Sequence, residues 1–279
     1  EKCSFEEVAY LIRNKELTNK TKLKKFKKEL EKNRNITINL REIVKHMPKK
    51  AHPMDVARTV VSVMGLEDKD TSNNSPSSNM RKAIRIFAKT PTAIAAFFRA
   101  RKGKNIISPK KNLTFAENFF YMCFGKVPNK EIVKAFDVSL ILYAEHSFNV
   151  STFTARTITS SLSDMHGAIT GAIASLKGPL HGGANEAAME MIEKFSSREE
   201  ANKRVKEMLL NKEKIMGFGH AVYTNEDPRN KIIKSLSKQL GETRNNTLLY
   251  EVSEEVEKVM DEEIGLFANT DFYMASTYH

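Results

Sequence analysis

The feature of this sequence that most constrains its fold is the spacing of its apolar residues, which recur at helical intervals. In residues 19–34, for example, Leu23, Phe26 and Leu30 stand at positions i, i+3 and i+7, on one face of a helix. No stretch alternates apolar and polar residues for more than a few positions, as a half-buried strand would. Glycine and proline, which mark the many turns of a β-sandwich or barrel, number only 12 and 8 among 279 residues. The pattern predicts an all-α protein.

Capping signals and apolar periodicity place the helices approximately. Ser4 and Glu7 form a capping box at the first of them. Gly65 is interpreted as a C-cap, residues 67–79 as a surface loop, and the small residues of the segment 150–177 as positions of close packing. We predict helices at 4–14, 19–34, 53–65, 80–100, 115–124, 130–146, 150–177, 185–195, 198–211, 228–240 and 250–264.

The charge and the cysteine content restrict the class of protein. Basic residues outnumber acidic ones by 45 to 34. The resulting net charge of +11 suits an anionic partner such as nucleic acid, phosphate or a polycarboxylate. The lysines of residues 19–34 are either an anion-binding patch or a solvated helix face. Two cysteines, Cys3 and Cys123, form neither a disulfide framework nor a metal pattern, and no 18-residue apolar stretch exists. We expect a cytoplasmic location, one large domain plus a smaller one, and a chain shortened at both ends.

A histidine followed by two glycines stands in Lys177-Gly-Pro-Leu-His181-Gly-Gly-Ala-Asn-Glu186. Two glycines let the backbone approach a ligand closely. Because a helix is expected to begin near Asn185, His181 precedes a helix N-terminus, whose partial positive charge disfavours the imidazolium form. A neutral ring there could donate a hydrogen bond to a developing oxyanion. A histidine that only caps the helix is the equally open alternative.

A second glycine-rich histidine turn, Gly217-Phe-Gly-His220, precedes Asp227-Pro-Arg229. Asp227 is predicted as an N-cap with proline at the first helical position, so Arg229 falls in the first turn. Its charge there opposes the helix dipole by about 0.3–1 kcal/mol. An arginine beside unpaired N–H groups suggests a site for an anion such as a carboxylate. The alternative is an exposed arginine that the position tolerates.

Two further polar residues stand in apolar surroundings. His146 lies where two predicted apolar helices meet, and is either functional or a satisfied core histidine. Asp271 lies in Leu-Phe-Ala-Asn-Thr-Asp271-Phe-Tyr, where apolar neighbours would favour the protonated carboxyl and suit a general base. The alternative for Asp271 is a helix N-cap. The sequence has no GxxxxGK[ST], GxGxxG, CxxC or HExxH motif, so common nucleotide and zinc sites have no support.

Taken together, these segments resemble the citrate synthase family over nearly the whole chain, in family order and spacing. The segments at Gly178–Glu186, at Gly217–Tyr223 with Asp227-Pro-Arg229, and at Asn269–Tyr273 resemble its three signature motifs, and Ala144–Phe153 and His52-Pro-Met-Asp55 also match. Within the family, the stretch from Gly217 to Leu240 is most similar to 2-methylcitrate synthases.

The resemblance implies a citrate synthase-like, all-α fold with a large helical domain (1–181 and 271–279) and a smaller helical domain (182–270) that closes over the active site. It implies condensation of an acyl-CoA with oxaloacetate by a homodimer. The coenzyme A thioester is then a co-substrate, and neither a metal nor a tightly bound cofactor is expected. Family members begin before this chain and end after it, in a stretch that carries further substrate-binding arginines.

The resemblance also implies roles for individual residues. Asp271 would remove a proton from the acyl α-carbon, His181 would donate a hydrogen bond to the thioester oxygen, and His220 would protonate the keto oxygen of oxaloacetate. His146 and Arg229 would hold that substrate. The segment that would contact coenzyme A through its backbone consists of Glu213, Lys214, Ile215, Met216 and Gly217.

The identity of the acyl group depends on weaker signals. Thr224 stands where many citrate synthases have a basic residue, which weakens one expected phosphate contact and favours propionyl-CoA over acetyl-CoA. Tyr273 and Ser276 are expected to line the acyl pocket. Citrate synthase proper is the alternative. A basic helical nucleic-acid-binding protein fits the charge but has no recognisable binding motif, and an inactive relic of the family is a third alternative.

Overall fold

A computed structural model describes residues 2–220 and 223–279, so Ala221 and Val222 of the His220 motif lie outside the described residues. Within those ranges the chain forms helices and no strand, and 67% of it is helical. An isolated antiparallel bridge joins Phe218 to Ala268. The prediction of an all-α protein is confirmed.

The chain divides into two compact units, Glu1–Lys177 and Gly178–His279. In the described part of the first unit the helices are α1 (Phe5–Asn14), α2 (Lys20–Asn33), α3 (Ile38–His46), α4 (Pro53–Glu67), α5 (Pro76–Arg101), α6 (Phe115–Phe124), α7 (Lys130–Tyr143), α8 (Val150–Ser160) and α9 (Met165–Leu176). In the described part of the second they are α10 (Gly183–Ile192), α11 (Arg198–Leu210), α12 (Asn230–Thr243), α13 (Leu248–Ile264) and α14 (Thr270–Tyr278). The domain boundaries inferred from the family resemblance stay a prediction.

Helix α5 organises the first unit, because α2, α3, α4, α6 and α9 all pack against it. One apolar cluster joins Leu40 of α3 and Val60 of α4 to Phe97 of α5. A second joins Phe26 and Leu30, the apolar stripe expected in α2, to α5. The helical periodicity therefore predicted the buried face of α2 correctly.

The segment predicted as a surface loop at 67–79 is shorter and better anchored than expected. Ser75 caps α5 with Pro76 at its first position, so the helix begins four residues earlier than predicted. The fully buried Lys82 donates from Nζ to the carbonyl oxygens of Thr71 (3.1 Å) and Asn73 (2.8 Å). These bonds fix the loop on α5. Gly65 lies within α4 rather than at its end.

The single helix predicted at 150–177 is wrong, because the chain breaks between α8 and α9. Leu162 adopts a positive φ of 63°, and Asp164 accepts a hydrogen bond from the Gly167 amide at 3.0 Å as the N-cap of α9. The two helices pack together where Gly171 meets Ile158, so closely that a Cβ at Gly171 would lie 2.2 Å from the Ile158 side chain. The expected role of small residues in close packing is confirmed.

Helix α14 is central to the second unit, where it packs against α10, α12 and α13. Phe272, Tyr273 and Met274 are fully buried. The hydroxyl of Tyr273 donates to Glu257 Oε2 of α13 at 2.6 Å, and Ser276 shares a 2.8 Å hydrogen bond with Ser237 of α12. These contacts fix the position of α14, whose first turn contains the candidate base Asp271.

Helix α3 was not predicted, although Thr37 caps it by accepting from the Leu40 amide. Helix α12 begins two residues later than predicted. Among the described residues, no helix is both long and apolar enough to cross a membrane.

Candidate active site

The chain around His181 forms a compact turn that leads into α10. The carbonyl oxygen of Gly178 accepts hydrogen bonds from the amides of His181 (2.9 Å) and Gly183 (3.1 Å). The Ala184 amide in turn donates to the His181 carbonyl at 3.0 Å. His181 therefore lies directly before the N-terminus of α10, as the sequence predicted.

The turn carrying His220 is bonded to the segment that precedes α14. The Gly219 amide donates to Phe267 O and the Asn269 amide to Gly217 O, each at 2.9 Å. The side-chain amide of Asn269 also donates to Gly219 O at 3.0 Å. Gly217 has a φ of 90°, and a Cβ on it would lie 2.8 Å from the Cβ of Phe272. Glycine is required there both for its backbone conformation and for the close approach of α14.

The ring of His220 has a defined acceptor. Its Nδ1 accepts a hydrogen bond from the Tyr223 amide at 3.2 Å, and the two rings lie with centroids 4.6 Å apart. A neutral imidazole that accepts at Nδ1 carries its proton on Nε2. Nε2–H is therefore the group with which His220 can donate to a ligand oxygen.

A buried ion pair links Arg229 to α14. Asp227, only 1% exposed, accepts from Arg229 Nε at 2.9 Å and Nη2 at 2.8 Å. The same carboxylate accepts from the amide (3.1 Å) and hydroxyl (2.7 Å) of Thr270. Burial by itself would raise the pKa of Asp227, but the hydrogen bonds from Arg229 and Thr270 lower it to about 2. Asp227 thus remains ionised at neutral pH.

The prediction that Asp227 caps α12 is wrong. Its carbonyl accepts from the Asn230 amide in a turn, and Arg229 occupies the N-cap position. The Asp227 side chain accepts from the Arg229 amide at 3.0 Å, but its other hydrogen bonds come from the Arg229 side chain and from Thr270 of α14. The reason is tertiary, because α14 brings Thr270 to this carboxylate. The charge of Arg229 at a helix N-terminus is balanced by this carboxylate. The guanidinium also lies 5.8 Å from the centroid of the Tyr223 ring.

Asp271 lies in the first turn of α14 and is not its N-cap. Asn269 has that role, because its Oδ1 accepts from the Asp271 amide at 3.0 Å. The carbonyl of Asp271 accepts from the side chain of Asn185, in the first turn of α10, at 2.9 Å. Burial lowers the pKa of the Arg229 guanidinium, but the hydrogen bonds and charge of Asp227 raise it above its usual value, and the charge of the Asp271 carboxylate adds a smaller contribution in the same direction.

The first turn of α14 therefore connects three of the predicted segments in the second unit. Asn185 ties it to the His181 turn, Asn269 to the His220 turn, and Thr270 to Asp227. Sequence reasoning missed the supporting roles of Asn185 and Thr270, because each depends on a residue far away in the chain. It also missed that of Tyr223, although its partner His220 is only three residues away. His146 lies in the first unit, in the connection between α7 and α8, as expected.

The segment predicted to contact coenzyme A borders a cavity of about 560 Å³ within the second unit. Helices α10 and α11 and the connection between them form the rest of its wall, with Lys194 and Arg204 among the lining residues. Glu213, Lys214 and Met216 line it from the predicted segment, whereas Ile215 is buried. Lys194, which follows α10, and Arg204 of α11 were not singled out in the sequence, where they look like ordinary surface charges.

Two other expectations concern ligands. Tyr273, expected to line the acyl pocket, is fully buried and bonded to Glu257, so its hydroxyl is engaged inside the unit.

Among residues 2–220 and 223–279, no group of three histidine, cysteine or acidic side chains has the geometry to hold a metal ion.

Comparison with known proteins identifies relatives over the full length of the chain. The family model described as "Citrate synthase, C-terminal domain" matches residues 1–279. Citrate synthase 2 of Bacillus subtilis is 43% identical over 283 residues, which cover 100% of this chain and 75% of that protein. The 2-methylcitrate synthase of Shewanella oneidensis is 45% identical over 280 residues, covering 100% and 74%.

The solved structures that are similar to this chain are also citrate synthases. Citrate synthase from Thermotoga maritima superposes with a TM-score of 0.88 at 35% identity, covering 100% of this chain and 74% of that one. The ternary complex of Thermoplasma acidophilum citrate synthase with carboxymethyl coenzyme A and oxaloacetate superposes with a TM-score of 0.94 at 28% identity, covering 99% and 74%.

Proposed function

The chain belongs to the citrate synthase family, and on that premise we propose that it condenses propionyl-CoA with oxaloacetate to give 2-methylcitrate and free coenzyme A. Membership of the family supports the less specific statement, that the reaction is a citrate synthase-type condensation of an acyl-CoA with oxaloacetate. The observation that carries the residue assignments is the convergence of three predicted segments on the first turn of α14.

In the proposed reaction the Asp271 carboxylate takes a proton from the α-carbon of the acyl group. The electrons of that C–H bond shift toward the thioester oxygen, which accepts a hydrogen bond from His181 at the N-terminus of α10. Charge that develops on this oxygen is stabilised best by a donor that is already in position. The turn closed on Gly178 O supplies such a fixed position for His181.

The nucleophilic α-carbon then attacks the keto carbon of oxaloacetate. The electron pair of the C=O bond moves to oxygen, which receives a proton from Nε2 of His220. The hydrogen bond that Nδ1 of His220 accepts from the Tyr223 amide supports this direction of transfer. Water then cleaves the thioester, which releases coenzyme A and the tricarboxylate.

Arg229 and His146 are proposed to hold the oxygens of oxaloacetate. Arg229 presents a planar, fully charged donor set that suits a carboxylate. Its contact with Asp227 orients the guanidinium before substrate arrives. The segment 213–217 is proposed from the family resemblance to contact coenzyme A. The cavity beside it carries basic side chains, Lys194 and Arg204 among them, that could meet phosphates, and an equal number of glutamates.

Propionyl-CoA is proposed over acetyl-CoA because Thr224 and the stretch to Leu240 are most similar to 2-methylcitrate synthases. Citrate synthase proper is the second candidate, since relatives with that name are about as similar to the chain as those named 2-methylcitrate synthase. One methylene in an apolar pocket is worth only about 1–3 kcal/mol, so we expect a preference of about 10- to 200-fold at most.

The test is steady-state release of coenzyme A with each thioester at saturating oxaloacetate. A higher kcat/KM for propionyl-CoA supports the proposal, and a higher value for acetyl-CoA assigns the chain as a citrate synthase. Release from neither thioester, in a protein with the helical circular dichroism expected from the fold, would overturn the assignment of both substrates.

We also propose that the protein is a homodimer that works in the cytoplasm. Helix α8 has no buried residue, and Phe148, Val150 and Phe153 at its start are each more than half exposed. A second copy that covers this face would remove a large apolar area from water. Phe153→Lys should shift the mass measured by light scattering from dimer to monomer, whereas Leu17→Lys, at an exposed apolar residue outside this face, should leave the mass unchanged. A monomeric unmodified protein would contradict the dimer.

A further inference from the structure

One glutamate of α13 bonds side chains of both α12 and α14. Oε2 of Glu257 accepts hydrogen bonds from the hydroxyl of Tyr273 in α14 at 2.6 Å and from Nζ of Lys234 in α12 at 2.5 Å. Oε1 of the same carboxylate accepts a longer bond, of 3.2 Å, from Nδ2 of Asn230 in α12. Glu257 therefore joins three helices of the second unit at a single carboxylate.

The two helices that Glu257 joins begin at residues proposed to act in the reaction. Arg229 is the N-cap of α12, and Asp271 is the second residue of α14. Arg229 is proposed to hold oxaloacetate, and Asp271 to take the proton from the acyl group. The carbon atoms that join must first approach to within about 3–3.5 Å of each other. The placement of α12 relative to α14 therefore has to be kept within narrow limits.

Two other contacts hold α12 and its N-terminal side to α14. Asp227, just before α12, bonds Thr270, the first residue of α14, and Ser237 shares a 2.8 Å hydrogen bond with Ser276. Ser237 lies about 10 Å along α12 from the first residue of that helix. Glu257 acts between these two points. Because it lies on α13, it also braces both helices against a third.

The bonds of Glu257 matter more for position than for overall stability. The side chains of Lys234 and Glu257 are 33% and 21% exposed, and ion pairs that water reaches contribute little to the free energy of folding. A displacement of about 1 Å at a reacting group, in contrast, can lower a rate about 100-fold. Loss of this pair should therefore change the reaction more than the melting temperature.

We propose that Glu257 is a positioning residue whose carboxylate fixes Arg229 and Asp271 relative to each other. It acts on Arg229 through Lys234 and on Asp271 through Tyr273. This role rests on the functions proposed above for Arg229 and Asp271, and Glu257 itself is not assigned a contact with substrate. The two routes can be tested separately, because one affects oxaloacetate binding and the other affects proton transfer.

The experiment uses the full chain with one route broken at a time. Lys234→Met removes the charge but keeps much of the aliphatic side chain, and Lys234→Arg keeps the charge. Tyr273→Phe removes the hydroxyl but keeps the ring, whose centroid lies 5.3 Å from Nζ of Lys234. Glu257→Gln weakens both routes. The readouts are kcat at saturating substrates, the Kd for oxaloacetate measured by calorimetry without a thioester, and the melting temperature.

The matched control is Glu254→Gln. Glu254 lies three residues earlier on α13 and also bonds a tyrosine hydroxyl and a basic side chain, those of Tyr250 (3.0 Å) and Arg198 (2.7 Å). Tyr250 belongs to α13 and Arg198 to α11. The control therefore breaks a similar set of hydrogen bonds that end on α11 and α13 rather than on α12 or α14.

We expect Lys234→Met to raise the Kd for oxaloacetate about three- to ten-fold and to leave kcat within about two-fold of wild type, because it frees α12 but not α14. Tyr273→Phe should lower kcat about three- to ten-fold and leave the Kd within about two-fold. Glu257→Gln should show both losses, whereas Lys234→Arg and Glu254→Gln should show neither. The melting temperature of Lys234→Met should fall by no more than about 3 °C.

Three results would overturn the positioning role. One is a Glu257→Gln protein whose kcat and Kd both stay within two-fold of wild type. Another is an equal loss of turnover and binding in Lys234→Met and in Tyr273→Phe, because a general loosening of the unit does not separate the two routes. A third is a loss in Glu254→Gln as large as that in Glu257→Gln. A wild-type protein that releases no coenzyme A from either thioester would instead overturn the proposed function, which separates that failure from a failure of Glu257 in an active enzyme.

Discussion

Replacement of Asp227 by asparagine tests the link between Arg229, which is proposed to bind substrate, and the helix that carries the candidate base. Asp227 accepts two hydrogen bonds from the Arg229 side chain and two from Thr270, and the pKa of its carboxyl falls from 3.8 to about 2. Each pKa unit corresponds to about 1.4 kcal/mol, so ionised Asp227 contributes on the order of 2–3 kcal/mol to folding at neutral pH.

The pH at which this contribution is lost follows from the direction of the shift. The pKa of Asp227 is lower in the folded chain than in the unfolded chain, so its contribution is fully present above about pH 4. It decreases as the pH falls through that range and is gone below about pH 2, where both states are protonated. Asparagine cannot ionise, so the difference in stability between wild type and Asp227→Asn should follow the same course.

Amide hydrogen exchange in α14 measures this difference in the second unit alone, which avoids assuming that both units unfold together. At pH 7 a loss of about 2–3 kcal/mol speeds exchange through unfolding by roughly 30- to 150-fold. The control is Asp261→Asn, at an exposed position of α13, and it should leave exchange unchanged. An acceleration of less than about three-fold in Asp227→Asn, or a difference that persists undiminished near pH 2, would refute the reasoning.

Three further outcomes are expected. Asp271→Asn should still bind oxaloacetate but lose about 10²–10⁴ in kcat, the usual contribution of a positioned base, and turnover within a few-fold of wild type would show that Asp271 is not the base. Gly217→Ala should lower the melting temperature much more than Gly103→Ala. Both glycines have a positive φ, but a Cβ at Gly217 would lie 2.8 Å from Phe272, whereas a Cβ at Gly103 would meet no atom within 4 Å. Equal shifts in melting temperature would contradict the packing argument. The exposed thiol of Cys3 should react with a disulfide reagent at once. The thiol of Cys123 is buried, and burial raises its pKa to about 11, so it should react only after unfolding. Thiol titration in native buffer and in urea would check both expectations.

The helices could be predicted because their signals lie within a few residues of one another. The capping box of Ser4 and Glu7 forms as expected, and His52 caps α4 with Pro53 at its first position. The break between α8 and α9 was missed because the residue with positive φ is Leu162, an amino acid that rarely adopts that conformation. A capping aspartate, Asp164, was the available signal.

For the candidate site, the sequence determined which residues to examine: two histidines in glycine-rich turns, an arginine and an aspartate in distinctive motifs. Only the tertiary structure decided what holds them. Asp227 bonds Thr270 of α14 as well as Arg229, Lys82 lies buried under a loop, and Lys177 pairs with Asp55. The physical reason is that turns and caps depend on neighbours in the chain, whereas the partner of a charged side chain depends on which distant segments the packed helices bring within 3 Å of it.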